Sequence, residues 1–135
     1  MTASQLQLSV VVPAFDEEEN VAALAQEIVA ALRGKLAFEM VFVDDRSRDG
    51  TFAALCAARE NMPELRVLQH ARRSGQSTAV RNGVKAARGA WIATLDGDGQ
   101  NDPADIPKLL CARDSADARV KCFAGWRVNL SLIHI

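Results

Sequence analysis

Asp96, Asp98 and Gln100 set two carboxylates and an amide oxygen at alternate positions, just after the apolar run at residues 91–95. In an extended segment, residues two apart point the same way, so the three can converge on one ion. Carboxylate and amide oxygens are hard ligands, which suits Mg2+ or Mn2+. Gly97 and Gly99 between them let the backbone turn tightly and a ligand approach closely. Asp, Gly and Asn are also ordinary turn residues after a strand, so this stretch alone leaves a plain turn open. An EF-hand loop is excluded. Counted from Asp96, its sixth position is Asn101 and its twelfth is Pro107; counted from Asp45, the twelfth is Cys56.

Two more acidic stretches share this character, residues 16–19 and the Asp44, Asp45, Ser47, Asp49 series before Gly50. Together with Asp96 and Asp98 they suggest a nucleoside diphosphate. A base needs a flat partner and an acceptor for its ring N–H, which Phe15 and Asp45 can supply. The phosphates need a metal and donors, which Asp96, Asp98 and Arg72 or Arg73 can supply. Each residue also has a plainer use. Phe15 can be a core ring, Asp45, Ser47 and Asp49 can cap the following helix, and Arg72 and Arg73 can be a solvated basic face. His70 and His134 are isolated in the sequence, which assigns neither a role.

The elements that must position these residues follow from hydrophobic pattern. Residues 8–12, 38–43, 65–68 and 91–95 are apolar runs with the character of buried strands, and Pro13 is expected to stop the first. Between them, helical spacing predicts a helix opened by residues 16–19 and closed near Gly34. A second spans residues 51–59, with Phe52, Leu55 and Cys56 inward. A third spans 75–87, with Ala79, Val80, Val84 and Ala87 inward. The fourth spans 104–113 behind Pro103, with Ile106, Leu109 and Leu110 inward. Strand–helix alternation four times over predicts an α/β fold. Its sheet is mostly parallel and Rossmann-like, with helices on both faces. The ends of strands one, two and four then share one edge and gather the three acidic loops there. Like charges brought together in this way call for a cation among them.

Composition narrows the classes. The chain has 135 residues, 49% of them hydrophobic, enough for one domain with its own core. A net charge of -1 gives no field for nucleic acid, and no apolar run is long enough to span a membrane. The N-terminus lacks the pattern of a signal peptide. Cys56, Cys111 and Cys122 have no metal-site or disulfide spacing. They are expected to be small buried hydrophobes in a reducing, cytoplasmic setting.

The stretches SVVVPAFDEEENV, FVDDRSRDGT, RRSGQSTAVRNGVKAARG and LDGDGQNDP, in this order, resemble the family 2 glycosyltransferases of the GT-A fold. Within that family they are most similar to dolichol-phosphate mannose synthase and the bacterial transferases that load a sugar onto polyprenyl phosphate. The resemblance implies a nucleotide-sugar-binding part over residues 1–129 and a tail at 130–135 unlike the family. Pro13, Ala14, Phe15 and Glu17 would hold the nucleotide and Asp45 the base, with Ser47 and Gln76 also at the donor. Asp96 and Gly97 would meet the donor diphosphate, and Arg127, in a GxR-like segment from Gly125, would lie near its phosphates. Asp96, Asp98 and Gln100 would bind the metal, with Asp98 the catalytic residue. The implied reaction is inverting, metal-dependent transfer of a sugar from a nucleotide-diphosphate donor to a lipid-phosphate acceptor at the cytoplasmic membrane surface. The alternatives are a fragment that binds the donor without turnover, or a family 2 transferase with a saccharide acceptor. A sugar-phosphate nucleotidyltransferase is disfavoured because the first loop is PAFDEEEN rather than Gly-rich and Arg-bearing. A phospho-receiver domain is disfavoured because the acidic pair follows the second strand. Family members more often carry Tyr and Asn at Phe15 and Asp16, and many carry Ala at Gly97, a change that looks mild. The chain is expected to be C-terminally truncated, with an apolar surface that promotes self-association.

Overall fold

The computed structural model describes residues 6–97 and 102–122. The elements run β1 (Leu8–Ala14), α1 (Val21–Leu32), β2 (Phe38–Asp44), α2 (Thr51–Arg59), β3 (Leu65–Gln69), α3 (Gln76–Ala86), β4 (Trp91–Thr94) and α4 (Asp105–Ser115). The strands form one parallel sheet in the order β3-β2-β1-β4. The two central strands are buried along their whole length, which explains their unbroken apolar sequences.

Alternate residues of each strand serve opposite layers. On one face Val10, Val12, Met40 and Phe42 pack with Val21, Leu24, Ile28 and Leu32 of α1, Leu55 of α2 and Ile106 of α4. On the other, Val11, Val41 and Val43 pack under Ala79 of α3. Full burial of a side chain such as Phe42 or Ile28 is worth about 1.5–3 kcal/mol, so the first face carries most of the core. Gly83 lets α3 lie close to the sheet, since a Cβ there would stand 2.4 Å from Val11 Cγ1. Ile92 is 40% exposed and Val84 37%.

Several expectations are corrected. Pro13 does not end β1; it pairs with Val43, and the strand runs to Ala14. Ala14 O accepts from Asp45 N on the β2 side and Val11 O from Leu95 N on the β4 side. Pro13 therefore turns its backbone toward β4, beyond the last β4 residue paired with β1, where its missing N–H breaks no ladder bond. The acidic run does not open α1, which begins at Val21. Asp16 takes φ 53°, and the amides of residues 16–18 bond side chains of the β2–α2 loop instead of helix carbonyls. Pro103 lies in a turn before α4, two residues short of the first helical residue. The cysteines are not core residues; Cys56, Cys111 and Cys122 are free and exposed. In α2 the inward position falls to Leu55 with Phe52 half-buried, and in α3 to Ala79 and Gly83 rather than Val84.

Candidate functional site

At the carboxyl ends of the strands a cleft of about 280 Å³ is lined by Pro13, Ala14, Phe15, Glu17, Asp45, Arg73, Gln76, Asp96 and Gly97. Every parallel strand points the same way, so the segments after β1, β2 and β4 meet at this edge, the usual ligand side of an open α/β sheet. Eight of the residues singled out by sequence line the cleft: Pro13, Ala14, Phe15, Glu17, Asp45, Gln76, Asp96 and Gly97. Ser47 does not. Its hydroxyl donates to Asp44 and accepts from the Asp16 amide at 2.9 Å, which ties the first loop to the second. Asp98, Gln100 and Arg127 lie outside the described residues, as do His134 and the tail at 130–135.

The first two loops are joined by a set of such bonds. Thr51 Oγ1 accepts from the Glu17 amide at 2.9 Å. Asp49 accepts from the Thr51 amide at 2.9 Å, the capping role expected for one residue of this series. Asp16 accepts from the Arg48 amide at 2.8 Å and from its guanidinium at 2.6 Å. These Arg48 bonds hold the Asp16 carboxyl below the usual aspartate range. The charge at Asp16 is therefore matched within the loops rather than left facing the cleft.

Asp45 is 3% exposed. Its Oδ1 accepts from the Ser74 amide at 2.7 Å and its Oδ2 from the Gly75 amide at 2.9 Å. His70 Nδ1 lies 2.8 Å from Oδ1, and Asn82 Nδ2 lies 3.0 Å from His70 Nε2. With the amide as donor to Nε2, Nδ1 carries the proton toward Asp45. Burial pushes the Asp45 carboxyl up, but the Ser74 amide, His70 and the Gly75 amide outweigh it and hold the group below its ordinary value. A carboxylate has about four acceptor positions. The protein fills three here, so Asp45 fixes the 70–75 loop first and keeps one position for anything in the cleft. Sequence inspection passed over His70, Ser74 and Asn82, whose only link to the site is a contact across 25 or more residues to Asp45 or to each other. Gly75, with φ 99°, carries the chain into α3 in a region that favours glycine.

Gln76, the first residue of α3, donates to Asp96 Oδ1 at 3.1 Å and links the third segment to the post-β4 loop. A Cβ at Gly97 would stand 2.7 Å from Pro13 O. Alanine there requires a backbone shift between the two loops, so the position is tighter than its sequence suggests. The Phe15 ring is partly buried and carries two guanidinium groups, Arg73 with Cζ 4.0 Å and Arg48 with Cζ 5.4 Å from the ring centre.

Comparison with known proteins adds three findings. Residues 9–130 match the profile of glycosyl transferase family 2. The chain is 39% identical over 127 residues to a dodecaprenyl-phosphate galacturonate synthase of Rhizobium johnstonii, covering 92% of this chain and 37% of that protein. It is 32% identical over 106 residues to the dolichol-phosphate mannosyltransferase of Saccharomyces cerevisiae, covering 77% of this chain and 40% of that protein. The chain thus spans well under half the length of these curated relatives. Among solved structures, a mannosyltransferase from Pyrobaculum calidifontis in complex with GDP-Man and Mn2+ superposes with a TM-score of 0.66 at 25% identity, covering 73% of this chain and 29% of the other.

Proposed function

The chain belongs to glycosyl transferase family 2, and from that premise we propose that its cleft holds the nucleotide-diphosphate sugar of a transferase whose acceptor is a polyprenyl phosphate. One observation carries the donor site: segments from β1, β2, α3 and β4 bring Phe15, Glu17, Asp45, Gln76 and Asp96 to a single cleft. The lipid acceptor is supported by the polyprenyl-phosphate and dolichol-phosphate relatives. No helix among the described residues is long and apolar enough to cross a membrane, so contact with a lipid substrate would occur at a membrane surface, on its cytoplasmic side.

The donor set suits a divalent cation in its chemistry. Glu17, Asp45 and Asp96 make the lining acidic with oxygen ligands, and the relative solved with GDP-Man contains Mn2+. Among the described residues no three ligating side chains converge on one point. Mg2+ or Mn2+ would therefore be held by Asp96 with Asp98 and Gln100, the last two outside the described residues. When bound, the metal supplies Lewis acidity to the leaving diphosphate.

The chain's own residues would position the donor. Phe15 offers a ring to the base and Asp45 its one remaining acceptor position. Gln76 fixes the orientation of Asp96 toward the phosphates. A phosphate acceptor is anionic near neutral pH and needs little general base, so orientation and charge stabilisation carry the rate, with inversion at the anomeric carbon. The test is transfer of radiolabel from GDP- and UDP-sugars to organic-extractable polyprenyl phosphate. Label that moves and is lost in Asp96→Asn supports the reading. Donor binding with no transfer to any lipid phosphate would reduce the chain to a donor-binding unit.

A further inference from the structure

The Phe15 face is occupied in the empty cleft. Arg73 Cζ lies 4.0 Å from the ring centre, a direct stacking contact. A base inserted between the two would need about 7 Å, two van der Waals separations. The two guanidinium groups at this ring are held differently. Arg48 is anchored by two bonds to Asp16, at 2.9 and 2.6 Å. Arg73 is exposed and, among the described residues, makes no ion pair with a carboxylate. The backbone beside it is fixed, because the next two amides are bound by Asp45. The mobile part is the side chain, which lines the same cleft as Asp96 and Gln76.

We propose that Arg73 is a specificity-determining cover that selects nucleoside diphosphates over phosphate-free nucleosides, an inference that rests on the donor-site reading above. With no ligand its guanidinium lies where the base stacks. A nucleoside diphosphate displaces it from Phe15 and gives it a new partner, the diphosphate, which a guanidinium binds through charge-assisted, often paired hydrogen bonds. A nucleoside must displace the same contact and offers nothing in exchange. Selection therefore comes from an obstacle that only the right ligand offsets. The exposed cation–π contact is worth about two- to fivefold in affinity. The phosphate contact is worth about tenfold or more.

The experiment titrates uridine, guanosine, UDP and GDP, with Mn2+ present, against wild type, Arg73→Ala and Phe15→Ala, followed by NMR shifts for the weak ligands. Arg73→Ala should bind its preferred nucleoside about two- to fivefold more tightly and the corresponding diphosphate about tenfold more weakly. Opposite signs of this kind do not arise from a loop that merely unfolds. Phe15→Ala should weaken both. Nucleoside affinity unchanged or lowered in Arg73→Ala, with the Phe15→Ala loss intact, overturns the cover and leaves base stacking standing. Unchanged affinities in Phe15→Ala remove the stacking and the cover with it.

Discussion

The two ends of the sheet each bury a carboxylate, and they use it differently. At the amino end Glu39, 2% exposed, accepts from Ser9 Oγ at 2.6 Å, the Arg88 amide at 2.7 Å, and the guanidinium groups of Arg66 and Arg88 at 2.9 to 3.2 Å. The protein supplies donors for both of its oxygens, two of its partners carry positive charge, and no cleft opens onto it. At the carboxyl end Asp45 is equally buried, but its partners are two amides and an imidazole, and its cleft also carries Glu17 and Asp96. One end is electrostatically closed. The other concentrates acidic groups beside an opening, an arrangement that costs energy unless a ligand brings positive charge. A buried carboxylate marks a functional site only when the protein has left its charge partly unanswered.

The contrast can be broken or sharpened by mutation. The largest effect on stability should come from Glu39→Ala, which strands two guanidinium groups and Ser9. Thermal melts should show a loss of about 3 kcal/mol, while the protein that remains folded binds nucleotide as before. Asp45→Asn should cost about 1–3 kcal/mol, because an amide nitrogen then faces a backbone donor, and unlike the Glu39 change it should also weaken UDP or GDP binding by releasing the 70–75 loop. Acid should affect both ends in the same direction. Burial raises the Glu39 carboxyl, but Ser9, Arg88 and Arg66 outweigh it and hold it below the usual glutamate value; Asp45 is also held low. A depressed folded value means the stability is present above the unfolded pKa, 4.5 for Glu39 and 3.8 for Asp45, and is lost as pH falls below it. Urea midpoints measured from pH 6 downward should therefore fall below about pH 4.5, and less steeply in Glu39→Gln. Arg48→Ala should have the smallest effect, with no resolvable change in melting midpoint, since its pair with Asp16 is screened by solvent.

Much of this was legible in the sequence because burial on both faces forces continuous apolar runs. β1 and β2 read directly from their valines and flanking turns, and the parallel topology then brought three distant acidic loops to one edge. Contacts that depend on tertiary pairing were not legible. Pro13 looks like a strand breaker until β4 is seen to end short of it. Cys56 fits an inward helical position, yet α2 turns Leu55 inward instead. His70 looked isolated because its partner Asp45 is 25 residues away. The stacking of Arg73 on Phe15 joins residues 58 positions apart by no motif.

The central claim is that the cleft at the carboxyl end is a metal-dependent nucleoside diphosphate site. Calorimetric titration of UDP and GDP, with Mn2+ and with chelator, on wild type and Asp98→Asn tests it most directly. The account predicts binding of one nucleotide in the presence of metal, with at least a tenfold loss on chelation and a similar loss in Asp98→Asn, where shape is kept and charge removed. Equal affinity in all four conditions would show that the acidic stretch after β4 is only a turn.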